Sequence, residues 1–356
     1  MTSPDLPKTE YKHNTDLEPA EEYLDAVPAL RGVLRFEPLI AEFRRYDAAA
    51  LSARDRLRGI GAASIVLAGA SLVGMTLEIY LHALVECPWR LHAGVRVGIE
   101  LAALAAVVLA LGPWFGRARS GWLSARFLAE LIRCWHFELL LDGETVSKAS
   151  TSFAEFDDIR KQRWARLMQK RGAVEGTMSS FADGSEMEGA HPVTPYTDGA
   201  IAEAVFRTYA DLRLGVQLSY FQFVRARYAA RDEWSESVAR WTLFSAVLLS
   251  AGQLVTMAIE AGGTVIPEWL EPTLPATALL LVVISALVRV YRQALAIAEH
   301  RARYDEHWIR LVGLKSRFEA ARRASDKLET MHQVETLLIE ELRQVLRVIH
   351  KTNYLV

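Results

Sequence analysis

The sequence predicts an all-α membrane protein with four transmembrane helices, arranged as two parallel-repeat hairpins with long cytoplasmic helical extensions. Three observations predict this class: four apolar stretches of membrane-spanning length, an arginine bias across them, and a resemblance between the two halves of the chain. Charged residues make up 24% of the 356 residues. Such a composition indicates apolar stretches in lipid that alternate with highly charged stretches in water.

Four stretches are long and apolar enough to cross about 30 Å of hydrocarbon, which takes about 20 residues in a helix. They are residues 59–81, 95–115, 241–262 and 272–290. The fourth is the weakest, because Arg289 shortens it. The alternative is a buried helix hairpin in a soluble core, but four such runs in one chain favour a membrane.

Arginines around these stretches predict their orientation, since cytoplasmic flanks are rich in Lys and Arg. Five precede the first stretch, four follow the second, four precede the third and four follow the fourth, whereas the two short loops contain Arg90 alone. We therefore expect an inner (plasma) membrane protein with both termini in the cytoplasm. The N-terminal residues lack the pattern of a secretion signal, so the first span is expected to direct insertion.

Residues 45–78 align without gaps with residues 227–260, with nine identities in 34 positions, and after the second span of each half the shift changes from 182 to 169 positions. The most informative identities are Arg45 with Arg227, Tyr46 with Tyr228, and Glu78 with Glu260. Both hairpins would enter from the same side, which is a parallel repeat and disfavours the inverted repeats common in secondary transporters.

The pattern divides the chain into five parts. These are a polar N-terminal segment (1–33), a first two-span repeat with cytoplasmic helices (34–170), a flexible linker (171–199), a second repeat (200–325) and a C-terminal amphipathic helix (326–356). Apolar residues recur every three or four positions from Leu328 to Ile349, close to a heptad seam. This helix is expected to form a coiled coil with other copies in trans, or to pack in cis on the extension of the fourth span.

The chain lacks the sequence patterns of the common enzyme and nucleotide-binding motifs, so it is not expected to be an enzyme or to need a cofactor. Its net charge of -2 gives no reason to expect nucleic-acid binding. A metal site is not expected; His82 and His92 could bind a metal, but a role at the membrane interface is favoured. Glu130 and Glu299 could be catalytic carboxylates, but structural ion pairs are favoured.

The first and third spans are rich in small and polar side chains, which have two interpretations. They allow close packing of membrane helices, or they line an aqueous pore in a homo-oligomer. The candidate pore-lining residues are Ser64, Ser71, Glu78, Ser250, Gln253, Thr256 and Glu260.

The helix that follows the second span carries a pattern of Trp122, Arg126, Glu130 and Arg133, of which the second half keeps Glu299. This pattern after a two-span hairpin resembles the SLATT superfamily, two-transmembrane domains associated with nucleotide-producing and nucleotide-sensing proteins in bacteria. The resemblance implies a pore-forming effector in antiviral defence, opened by a nucleotide signal or a protein partner. Here the unit is duplicated and no sensor domain is recognisable.

We therefore expect an oligomeric membrane channel or pore-forming effector. The alternative is a non-conducting membrane scaffold whose cytoplasmic helices bind a partner. A small-solute transporter is a third hypothesis.

Overall fold

The structure is a computed structural model that describes residues 15–84, 89–111, 113–174, 192–263, 267, 270–294 and 297–351. Across these residues the secondary structure is helical and contains no β-strand. This confirms the predicted all-α class. One isolated bridge joins Asp142 to Thr194.

Twelve α-helices are defined within the described residues. They are α1 (Glu21–Ala26), α2 (Pro28–Leu34), α3 (Glu37–Leu84), α4 (Trp89–Leu111), α5 (Pro113–Glu138), α6 (Gly143–Thr151), α7 (Phe153–Val174), α8 (Gly199–Thr208), α9 (Val216–Ala261), α10 (Leu270–Ala294), α11 (Ile297–Ala320) and α12 (Ala324–Lys351). A 3₁₀ turn (Leu139–Leu141) follows α5, and a π-helix (Tyr209–Gly215) joins α8 to α9.

Three described helical stretches are long and apolar enough to cross a membrane: Glu37–Thr76, Gly199–Ala261 and Thr273–Ala320. They contain most of the first, third and fourth predicted spans. The second predicted span (95–115) overlaps α4 over residues 95–111 and runs into the start of α5, and α4 is not among these three. The described part of the chain is thus helical and contains three candidate membrane-spanning helices.

The chain folds as two compact units. Unit 1 comprises the described residues of 1–53, 120–227 and 302–353, and unit 2 those of 54–119 and 228–301. Four helices, α3, α5, α9 and α11, contribute residues to both. The predicted parts of the chain follow the two repeats, whereas unit 1 contains the charged segments of both halves and unit 2 contains the apolar segments of both.

The N-terminal part of unit 1 is packed, although its sequence is polar. Leu17, Leu30 and Leu34 are buried. On the surface Arg31 pairs with Glu21 at 2.7 Å and with Asp25 at 2.6 Å. Residues 15–33 therefore pack on unit 1 through these leucines, while residues 1–14 of the predicted polar segment lie outside the described residues.

The end of the predicted linker is also tied to unit 1. Thr194 donates its backbone N–H to Leu141 O at 3.1 Å, and its hydroxyl to Asp142 Oδ1 at 2.7 Å. A Cβ on Gly143 would lie 2.6 Å from the backbone carbon of Pro195, so this crossing requires glycine. Residues 175–191 of the predicted linker lie outside the described residues.

Helix α12 buries the described part of its apolar seam, from Leu328 to Leu342, inside unit 1. Leu328, Met331 and Val334 are buried, and Tyr209 donates its hydroxyl to Met331 O at 3.2 Å. An ion pair of 3.5 Å joins Glu340 to Arg310 of α11, the helix that follows the fourth predicted span. The described part of the seam therefore packs in cis, one of the two arrangements that the sequence predicts, because its apolar side chains are covered within the chain. A coiled coil with other copies in trans stays a prediction.

Unit 2 contains close helix contacts at small residues. A Cβ on Gly74 of α3 would lie 2.8 Å from Cγ1 of Ile99 on α4. Ser285 of α10 donates its hydroxyl to Ala239 O of α9 at 2.9 Å. Small residues and hydroxyl bonds are the usual contacts between membrane helices.

Candidate functional site

A stripe of polar side chains runs along α3 in unit 2. It continues from buried Leu57 through Ser64, Ser71 and Glu78, each seven residues from the last. Seven residues fall about 20° short of two full helical turns, so these positions share one face. Ser71 is buried, while Ser64 and Glu78 are half-buried. The stripe therefore lies on the face that packs within unit 2.

Helix α9 has the same arrangement. Ala239 and Ala246 are buried, and the same seven-residue spacing continues to Gln253 and Glu260. Gln253 is half-buried and Glu260 is exposed. In both helices, therefore, one face carries buried residues in its N-terminal part, and the same face carries a polar residue and then a carboxylate further toward the C-terminus.

Several of the candidate lining hydroxyls are satisfied by helix backbones. Ser64 donates to Ala106 O of α4 at 3.0 Å. Ser250 donates to Ala246 O at 2.9 Å and Thr256 to Gln253 O at 2.7 Å, both within α9. These bonds remove the cost of placing hydroxyl groups in an apolar setting.

The predicted motif residues Arg126, Glu130 and Arg133 begin a buried ion-pair chain in unit 1. Glu130 Oε1 lies 2.5 Å from Arg126 Nη2 and 2.9 Å from Arg133 Nη1. Their spacing of four and three residues places all three on one face of α5. Glu130 therefore forms the structural ion pairs expected for it.

The ion-pair chain continues through residues that are distant in the sequence. Arg133 Nε lies 3.1 Å from Asp16 Oδ2, and Arg213 Nη1 lies 3.9 Å from the same oxygen. Arg213 then makes a two-pronged contact with Glu335, at 2.6 Å and 2.9 Å. The side chains of Asp16, Arg213 and Glu335 are at most 1% exposed. Three guanidinium groups alternate with three carboxylates, as burial of charge requires.

Two further groups contact the pair of Arg213 and Glu335, one on each side. The Tyr209 hydroxyl donates to Glu335 Oε1 at 2.7 Å. Arg213 Nη2 also lies 3.4 Å from Cys134 Sγ. Tyr209 and Arg213 both belong to the π-helix, whose wider turn is often found at functional positions.

Trp122 and Glu299 lie apart from the ion-pair chain. Trp122 is half-buried in unit 1. Glu299 belongs to unit 2, is exposed and makes no ion pair with any described residue. The predicted correspondence between Glu130 and Glu299 therefore does not extend to their surroundings.

No protein-family model, curated protein or solved structure matches this chain.

Protonation within the ion-pair chain follows from burial and its charges. Burial alone would raise the pKa of Glu130, but the charges of Arg126 and Arg133 outweigh it and lower that pKa. Burial alone would lower the pKa of Arg213, but the charge of Glu335 holds it well above its usual range. These groups therefore stay charged at neutral pH.

Two residues near the ion-pair chain, Glu138 and His136, have pKa values that are shifted in opposite directions. Burial, reinforced by the charge of Glu335 and opposed by Arg213, raises the pKa of Glu138 to about 8. Burial, reinforced by the charges of Arg160 and Arg213, lowers the pKa of His136 to about 3. At neutral pH Glu138 is thus mostly protonated and His136 is neutral.

The candidate reactive groups are Cys134 and the possible metal ligands. Burial raises the pKa of the Cys134 thiol, which keeps it from acting as a thiolate nucleophile. The described residues contain no group of three His, Cys, Asp or Glu side chains that could hold a metal ion.

Sequence reasoning missed Asp16, Tyr209, Arg213 and Glu335. Glu335 could have been found from the sequence, because it lies four residues after Met331 and three before Leu338 on the apolar face of α12. A charged residue on such a face requires a buried partner. No sequence pattern marks Asp16 as a buried residue, since it lies in a short polar stretch before α1.

Proposed function

We propose that this chain is an oligomeric membrane channel or pore-forming effector in which the two polar stripes of unit 2 line a cation path. The proposal rests on the observation that the stripes on α3 and α9 have the same order of residues. On α3 and on α9, seven-residue steps lead from buried small or apolar residues to a polar residue and then to a carboxylate, Glu78 or Glu260. Acidic groups at a channel mouth concentrate cations.

The proposal includes four spans in two parallel hairpins, with α4 as the second span. Successive helices of the two halves support it, because α3, α4 and α5 have 48, 23 and 26 residues and α9, α10 and α11 have 46, 25 and 24. The arginine bias supports an inner-membrane location with cytoplasmic termini. Unit 1 would then lie in the cytoplasm.

The resemblance to the SLATT superfamily supports a role in bacterial defence, with opening by a nucleotide or a protein partner. In this proposal the structure corresponds to a closed state, since Ser71 is buried. Opening would separate α3 from α4 and break the bond from Ser64 to Ala106 O. The freed groups would then be solvated by water in the lumen.

A second candidate is the non-conducting scaffold. One observation favours it: the hydroxyls of Ser64, Ser250 and Thr256 already have backbone partners, so packing alone accounts for them.

Ion flux separates the two candidates. The full-length chain is reconstituted into liposomes with a potassium gradient, and membrane potential is followed with a dye, with and without added cyclic nucleotides. The channel proposal expects dissipation of the potential by the wild type and by Glu100→Gln, an exposed carboxylate control on α4, and none by Ser71→Leu. Absence of flux in every sample would favour the scaffold.

A further inference from the structure

A groove in unit 2 combines arginines with apolar side chains. It lies between α9 and α10 and has a volume of about 630 Å³. That volume is in the range of small-molecule sites. Its charged lining consists of Arg240, Arg289, Arg292 and Glu236, and its apolar lining includes Leu243, Phe244 and Val247. We call it the arginine groove.

The three arginines differ in their partners. Arg292 is held by Asp232, with Nε at 2.9 Å and Nη2 at 2.6 Å from Oδ1. Arg240 pairs with Glu236 at 2.7 Å. Arg289 is exposed and makes no ion pair or hydrogen bond with any described residue. The groove therefore has two positioned guanidinium groups and a third whose charge no described carboxylate neutralises.

The apolar wall is open. Phe244 and Val247 are 52% and 60% exposed, and they lie in the first turns of the apolar segment of α9. Trp241 beside them is 62% exposed and packs edge-on against Phe244, with ring centroids 5.9 Å apart. Tryptophan is enriched where the hydrocarbon meets the headgroups. The groove thus lies where a lipid headgroup and the start of its acyl chains would be.

We propose that the arginine groove binds an anionic phospholipid, with the phosphate at Arg289 and Arg240 and an acyl chain along Phe244 and Val247. Basic pockets between membrane helices commonly hold anionic headgroups. A soluble anion would leave the apolar wall uncovered, and an uncharged amphiphile would leave Arg289 without a counter-charge. Glu236 in the same groove disfavours a multiply charged headgroup, so a singly charged lipid such as phosphatidylglycerol fits best. The proposal rests on the membrane placement of α9 and α10 and does not require conduction.

Native mass spectrometry of the full-length chain tests this site. The protein is equilibrated in detergent with equal amounts of phosphatidylglycerol and phosphatidylcholine, and the lipid adducts are counted. We expect preferential retention of phosphatidylglycerol by the wild type. Arg289→Gln should reduce that preference about fivefold, the effect of one cation near a membrane surface. Arg289→Lys, which keeps the charge, should retain most of it.

A matched control is Arg231→Gln, which removes the same charge from α9 outside the groove and should leave the preference unchanged. Equal retention of the two lipids by the wild type would overturn the proposal. So would an unchanged preference in Arg289→Gln, or an equal loss in Arg231→Gln. Full displacement of the lipid by millimolar inorganic phosphate would also contradict it, since the acyl chain would then contribute nothing.

Discussion

Among single residues of unit 1, the buried charges of Arg213 and Glu335 have the largest expected effect on stability. Arg213 and Glu335 have side chains 0% and 1% exposed. Each charge is tolerated because the other is present, since an unpaired buried ion is strongly destabilising. The pair therefore holds the π-helix against α12 with a geometry that either residue alone would not provide.

We predict that Glu335→Ala lowers the free energy of unfolding by about 3–5 kcal/mol, because it leaves Arg213 buried without a counter-charge. The double variant Arg213→Met with Glu335→Leu should recover most of that loss. Circular dichroism of the full-length chain in detergent, during urea unfolding, measures both. A control at the exposed pair, Glu340→Ala beside Arg310, should cost under about 1 kcal/mol. A double variant no more stable than the single one would contradict the assignment.

Glu138 makes unit 1 sensitive to alkaline pH. Its pKa rises from 4.5 when unfolded to about 8 when folded, so between these values the folded state binds more protons and stability falls as pH rises. The neutral His136, with its pKa lowered from 6.5 to about 3, has the opposite effect, but only below pH 6.5. Above pH 6.5 the contribution of Glu138 therefore remains unopposed by His136.

We predict that the thermal midpoint of the wild type falls between pH 6.5 and pH 8, with a loss of up to about 1.4 kcal/mol per pH unit from this group. Glu138→Gln should flatten the dependence. Glu144→Gln, an exposed carboxyl on α6, should leave it unchanged. Equal slopes for the wild type and Glu138→Gln would show that Glu138 is not the titrating group.

At the scale of helices, close contact between α3 and α4 depends on one glycine. A Cβ on Gly74 would meet Cγ1 of Ile99 at 2.8 Å, and Ile99 is β-branched and therefore stiff. Gly61 on the same helix has no atom within 4 Å of such a Cβ. The two glycines thus differ in packing while sharing a helix.

We predict that Gly74→Ala destabilises the chain by about 1–3 kcal/mol through overpacking. Gly61→Ala should be neutral or slightly stabilising, because alanine favours a helix more than glycine does. Thermal midpoints in detergent compare them. The contact would be refuted by a Gly74→Ala chain as stable as the Gly61→Ala chain.

At the scale of the whole molecule, local patterns predicted the helices well and their grouping poorly. Apolar periodicity and length predicted the C-terminal end of α3 and the start of α12 to within a few residues, because these signals are local. The pairing of Asp16 with Arg133 and of Arg213 with Glu335 joins residues more than a hundred positions apart. No periodicity encodes such partners, and the gathering of charged ends into one unit depends on them.

The proposed cation path along the polar stripes to Glu78 and Glu260 can be tested by the reversal potential under a potassium chloride gradient. The wild-type chain in a planar bilayer should reverse close to the potassium equilibrium potential. The Glu78→Gln, Glu260→Gln double variant should reverse closer to zero, since the carboxylates that concentrate cations are gone. An identical reversal potential for the wild type and the double variant would contradict the claim.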